Sequence, residues 1–257
     1  MDNLPAIPDC IDNAVKNLTD KSTASIGQTI ADLWQLVLGG RIALAAEKQR
    51  LKYAQDLEKY RETLEEKVAA IPEDKQTEPT MQIAAQALQD SQYCIGSEEL
   101  REMFANLIAR SMHTDYLDKI HPSFSKIVQQ LSPLDAQMLT IFYRNQTKSG
   151  VAIADYIGRE SNGGFSPIFE NVSELLPDDC HPAKAARAII SLQRQGLVEI
   201  PFDMYIKEPG RYDVFYNCPL YDEASEVASK WGYALEIKKR VGKLTIFGED
   251  FVRVCLG

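Results

Sequence analysis

The chain is poor in the residues that carry most catalytic chemistry. It holds three histidines in 257 residues, His113, His121 and His181. Metal and general-base sites draw on closely spaced His, Cys or carboxylate ligands, such as two histidines four apart on a helix. His113 and His121 are separated by an expected helix break, and His121-Pro122 and His181-Pro182 both read as helix openings, so helix entry or packing is the reading for all three. The five cysteines, Cys10, Cys94, Cys180, Cys218 and Cys255, are scattered, with no C-x-x-C pair. An odd number of such residues suits free thiols in a reducing compartment. Cys180 beside His181 is a neighbour in sequence only, and a packed or idle thiol is the plainer reading. A Walker loop, a dinucleotide-binding glycine fingerprint and a G-x-S-x-G elbow are all missing. The paired acids Glu65-Glu66, Glu98-Glu99 and Asp178-Asp179 fall on charged helix faces, helix starts or loops, where carboxylates are solvated. The expectation is a protein without catalytic residues, metal or cofactor.

Other absences narrow the class further. No apolar run approaches the roughly 18 residues that span a bilayer. The opening MDNLPAIPDC has neither the basic nor the apolar region of a secretory signal, so a cytoplasmic protein is expected. Excess positive charge is also lacking: 28 Lys and Arg stand against 37 Asp and Glu, for a net charge of -9 and a pI near 5.0. That balance disfavours a broad nucleic-acid surface and leaves room for local basic patches. No internal repeat is visible.

What is present is helical periodicity. Residues 1–21 read as a flexible tail, and 22–145 as a helical domain. Ile26, Ile30, Leu33, Trp34, Val37 and Leu38 make one helix face, interrupted by Gly39-Gly40. The stretch 33–46, LWQLVLGGRIALAA, could lie on a membrane as an amphipathic helix, although packing against the core or a second subunit is the plainer reading. A long helix is expected over 41–71, either projecting or pairing through a seam of Tyr53, Leu57, Tyr60, Leu64, Val68 and Ile71, with Pro72 ending it. Another follows over 81–93. The strongest pattern is 97–135. Ser97 is an N-cap candidate, and Leu100, Met103, Phe104, Leu107, Ile108 and Met112 line one face. Pro122 opens a second helix with Phe124, Ile127, Val128 and Leu131 inward, and Ser132-Pro133-Leu134-Asp135 reads as the capped start of a third.

The remainder, 146–257, has a different texture. Residues 151–157 read as a short strand or helix turn, and 158–179 as irregular, with Gly163-Gly164, Pro167 and Pro177. A helix is expected over 181–195, then strands at 197–200, 211–218 and 243–246, a helix over 222–232 and a closing helix over 248–256. This order is similar to a winged helix-turn-helix module. The fold class expected is mainly α (α+β overall): a helical domain containing one long helix, then a winged-helix-like module. Lys184, Arg187 and Arg194 lie roughly on one side of the 181–195 helix, which holds no acid, and Lys238, Lys239, Arg240 and Lys243 fall in the wing region. Cations on a helix and an adjacent wing could contact phosphates. A solvated face in a protein-binding module is the competing reading.

The runs EELREMFANLIARSMH, HPSF and QLSPLDA together resemble the abortive infection alpha (Abi-alpha) family of bacterial proteins, with the resemblance extending from about Gly40 to the C-terminus. The family implies a role in defence against phage and supplies no reaction or catalytic residue set. The function expected is a non-enzymatic defence-associated protein that works by protein–protein recognition, its partner another protein or a second copy. The alternatives are a DNA-binding regulator using the 181–195 helix and the wing, and a cryptic hydrolase or nuclease.

Overall fold

The computed structural model describes Trp34 and residues 47–146 and 149–257. The tail at 1–21, the helix expected over 22–38, the start of the one expected over 41–71 and the membrane-facing reading of 33–46 therefore lie outside the described residues, Trp34 excepted. The protein is α+β. Its described residues form eight α-helices and one four-stranded antiparallel sheet. They divide into two compact units, one holding the described residues up to Gln130 together with Arg253–Gly257, the other Leu131–Val252.

The first unit is helical. It contains α1 (Glu47–Ala69), α2 (Met81–Ser91), α3 (Glu98–Arg110) and α4 (Phe124–Gln130). The seam of α1 does not project or wait for a partner. Leu57, Tyr60 and Leu64 are buried, and α1 packs on α3. Trp34 packs against Tyr60, the rings tilted at 52° with centroids 5.1 Å apart. The apolar face expected for α3 is all inside, Leu100, Met103, Phe104, Leu107 and Ile108 being 0–4% exposed. Ser97 caps it, its hydroxyl accepting from the Leu100 N–H at 3.4 Å, and Glu98 and Glu99 complement the helix dipole. α4 starts at Phe124 and not at Pro122, because the His121 ring accepts from the Ser123 N–H at 3.2 Å and holds a turn there. One buried carboxylate ties α2 to α4: Asp90 accepts from the Ser125 hydroxyl and the Lys126 ammonium, both at 2.5 Å.

The second unit begins with α5 (Pro133–Asn145), capped by reciprocal bonds between Ser132 and Asp135 of 3.1 and 2.8 Å. Then come β1 (Val151–Arg159), β2 (Phe165–Ser173), α6 (Pro182–Arg194), β3 (Val198–Glu199), α7 (Pro219–Trp231), β4 (Ala234–Leu244) and α8 (Ile246–Cys255), whose last residues belong to the first unit. The sheet order is β2-β1-β4-β3. β1, flanked by a strand on each side, is buried from Val151 to Gly158. One face of the sheet carries Ala152, Ala154, Tyr156 and Val241 against Tyr212, Phe215, Leu220 and Ala224 from the segment before α7 and from α7 itself. α5 and α6 pack with the sheet through β4 and β2 respectively. Gly242 is where α5 comes closest, since a β-carbon there would lie 2.6 Å from the Phe142 ring.

This architecture departs from the winged-helix expectation. The basic helix α6 is followed by a strand of two residues, whose partners Lys243 and Leu244 lie at the far end of β4, beyond α7. No compact wing hairpin follows α6. The hairpin lies before it instead, in the stretch expected to be irregular: Gly163-Gly164 is the turn joining β1 and β2, with Gly163 at φ 90° and the Glu160 N–H bonded to the Gly164 carbonyl at 2.9 Å. The strand expected over 211–218 is a 3-10 turn, Asp213–Tyr216. Tyr212 and Phe215 are both buried, so the informative spacing there is three and not two. The strand expected over 243–246 is the end of the longer β4.

Candidate functional site

The cations singled out in the sequence separate into two groups. On α6, Lys184, Arg187 and Arg194 are all exposed, while Ala185, Ala188, Ile189 and Leu192 form the buried face. His181 sets the start of this helix by accepting from the Ala183 N–H at 3.2 Å, and Pro182 occupies the first turn. The three cations therefore form one stripe, with the exposed Ile190 among them, and none makes an ion pair among the described residues.

The cations of β4 sit differently. Alternation along the strand sends Lys238 and Arg240 to one face and Lys239 and Lys243 to the other. Arg240 is turned inward. Its guanidinium lies 2.9 Å from Asp155 and also donates to the carbonyls of Ile200 and Pro201 at 2.8 and 3.1 Å, with 14% of its side chain exposed. It is a structural pivot and is spent before any phosphate could reach it. The three lysines each meet a side chain of a single segment, residues 202–212. The Lys238 ammonium sits 3.6 Å from the centre of the Phe202 ring, Lys239 5.3 Å from that of Tyr212, and Lys243 3.8 Å from the Met204 sulfur. Tyr212 anchors that segment: its hydroxyl donates to the Arg240 carbonyl at 2.6 Å and accepts from the Ile206 N–H at 3.0 Å, and burial pushes its phenol up from the ordinary range.

This segment is the feature missed in reading the sequence. Phe202 is 70% exposed and Tyr205 53%, and Met204, Val214 and Tyr216 are exposed as well. The signal was there in FDMYIKEPGRYDVFY, which places five aromatic rings around a Pro-Gly turn. A segment that short cannot bury them all. Exposed aromatic and Met side chains are the composition of partner-binding surfaces. Behind the segment lies a cavity of about 610 Å³ walled by Phe142, Ile206, Val241 and Leu244, with Lys207 and Glu249 on its lining. Its size is that of a small-ligand pocket.

All three histidines are used on backbone amides. His113, His121 and His181 each accept, through Nδ1, from the N–H two residues on: Asp115, Ser123 and Ala183, each at 3.2 Å. Among the described residues, no group of three or more His, Cys, Asp or Glu side chains is placed to hold a metal ion, and no helix is long and apolar enough to cross a membrane. The Cys255 thiol is buried, which pushes it up. Glu98-Glu99 occupy the first turn of α3, Glu65-Glu66 the exposed face of α1, and Asp178-Asp179 a turn.

Comparison of the chain with curated proteins and with solved structures gave no match. The family model for abortive infection alpha matches residues 52–255, which runs from the second turn of α1 to the end of α8, and the chain belongs to that family.

Proposed function

We propose that this protein is a phage-defence component that acts by recognising another protein rather than by catalysis, through the exposed segment Phe202–Tyr216 and the lysines of β4 beside it. Membership of the abortive infection alpha family supports the defence role. The observation that carries the recognition role is the density of large apolar side chains left in solvent on that segment, with Lys238 beside Phe202 and Lys243 beside Met204, and with Tyr212 as its anchor. Such a surface costs solubility unless a partner covers it. Lys238, Lys239 and Lys243 favour an acidic partner.

The test is phage plating on a host expressing the chain, beside a Phe202→Ser/Tyr205→Ser variant. Lower plaque counts with the parent and normal counts with the folded variant are expected. Unchanged plating across a broad phage panel overturns the defence role, and protection kept by the variant overturns the surface.

A second reading is DNA binding by α6, favoured by the unpaired stripe of Lys184, Arg187 and Arg194. It requires duplex affinity that falls steeply with salt and is lost in the triple alanine variant. Absence of binding at low salt removes it.

A further inference from the structure

The sheet has two edges, and they are treated differently. The outer edge of β2 is blocked. Pro167 has no N–H to offer, Asn171 turns the backbone to φ 59°, and register shifts opposite Ala154–Ile157 bend the strand. β4 has no such devices from Ala234 to Lys239. Its second neighbour, β3, stops at Glu199, opposite Lys243. Burial records the gap: β1 is inaccessible almost throughout, whereas every residue of β4 from Ala234 to Arg240 is exposed or half-buried.

Hydrogen bonding shows which groups the gap leaves open. The Glu174 N–H bonds to the Ala152 carbonyl, so Ala152 faces β2 and its partner Val241 faces away from β1. The Thr245 N–H likewise bonds to the Leu197 carbonyl on the β3 side. The odd-numbered residues of β4 therefore direct their N–H and C=O groups at this edge. Near Arg240 the edge is closed by residues 200–206, through the Arg240 bonds to Ile200 and Pro201. Leu235, Ile237 and Lys239 are left with backbone groups that meet no backbone partner among the described residues.

We propose that this edge pairs antiparallel with the same edge of a second copy, about a two-fold axis at Ile237, joining two four-stranded sheets into one. The choice of occupant rests on charge and register. Pairing centred on Ile237 sets Leu235 opposite Lys239 of the other copy, so all the open backbone groups are met. It also sets Glu236 opposite Lys238 of the other copy, twice by symmetry, at non-hydrogen-bonded positions where side chains are closest. Moving the axis by one residue either way, a register slip of two, puts Glu236 against Glu236 or Lys238 against Lys238. Glu236 already bonds Arg159 within its own chain at 2.8 and 2.9 Å, so the joined face would alternate Arg159, Glu236 and the second copy's lysine. A strand carrying only lysines would repel its copy, whereas the Glu-Ile-Lys order of residues 236–238 is self-complementary. The proposal concerns the backbone edge and does not rest on recognition by the Phe202–Tyr216 segment, although Lys238 and Lys239 border both surfaces.

The test uses the full chain and sedimentation across a concentration series, with circular dichroism as a check on folding. The parent is expected to dimerise in the micromolar range. Glu236→Lys and Lys238→Glu each place like charges at both symmetric positions and are expected to weaken the dimer by about tenfold or more. The equimolar mixture of the two single variants restores both Glu–Lys pairs and is expected to dimerise again, as is the double variant carrying both changes. A parent that stays monomeric up to about 100 μM overturns the proposal. So does a dimer unaffected by either single substitution, or a mixture that does not recover.

Discussion

Replacing Arg240 with alanine tests the claim that this cation is structural and not a nucleic-acid contact. In the folded unit its side chain is 14% exposed, and its guanidinium lies 2.9 Å from the carboxylate of Asp155, whose side chain is 7% exposed. Truncation removes that ion pair and two further bonds to the carbonyls of Ile200 and Pro201. It strands Asp155 with the Asn171 N–H, 2.9 Å away, as its remaining partner. A buried carboxylate deprived of its cation costs about 3–5 kcal/mol. Urea unfolding followed by circular dichroism should show that loss, with a fall in Tm on the order of 10 °C. Lys238→Ala is the control, because it loses a cation–π contact with Phe202 at a partly exposed site and should cost under about 1 kcal/mol. Removing both charges with Asp155→Ala/Arg240→Met should recover most of the stability, since the desolvation of the pair disappears with it. An Arg240→Ala loss below about 1 kcal/mol, or one no larger than that of Lys238→Ala, would refute the reasoning and return Arg240 to the candidate phosphate contacts.

Three further outcomes are expected. Gly248→Ala should destabilise the second unit by about 3 kcal/mol or more in denaturant titration, because the new β-carbon would meet the Leu197 carbonyl oxygen at 2.0 Å and backbone cannot yield cheaply. Ser132→Ala breaks the capping box of α5 and should cost about 1 kcal/mol in the same assay. Thiol labelling of the native protein should leave Cys255 unmodified, its burial raising the thiol and blocking the reagent, and mass spectrometry should find it labelled only after unfolding.

The helices α3 and α5 were legible because their signals are local. Ser97, the Leu100–Met112 face and the Ser132–Asp135 cap act within a turn or two of the chain, and tertiary packing had only to cover faces already patterned. The histidines were legible as entry residues for the same reason, each bonding two positions ahead. The stripe on α6 followed from helical spacing alone. The sheet was not legible. β1 is buried on both sides, so it shows no alternation, and its run of apolar residues resembles a buried helix turn as much as a strand. The pairing of β1 with β4 and that of β3 with the far end of β4 are non-local choices, with α7 and part of the 202–216 segment packed over one face of the sheet. The β4 cations show the division most clearly. Residues 238–240 and 243 read as one basic patch in sequence, but strand alternation splits them between two faces. Asp155, brought in by pairing with β1, takes Arg240 out of solvent, and the 202–212 segment takes the lysines as neighbours for its rings. Charge and helical periodicity were determined by the chain itself. Which charges stayed free for a partner was decided by the strand pairing, because an ion pair depends on what lies across the sheet and not on what lies next in the sequence.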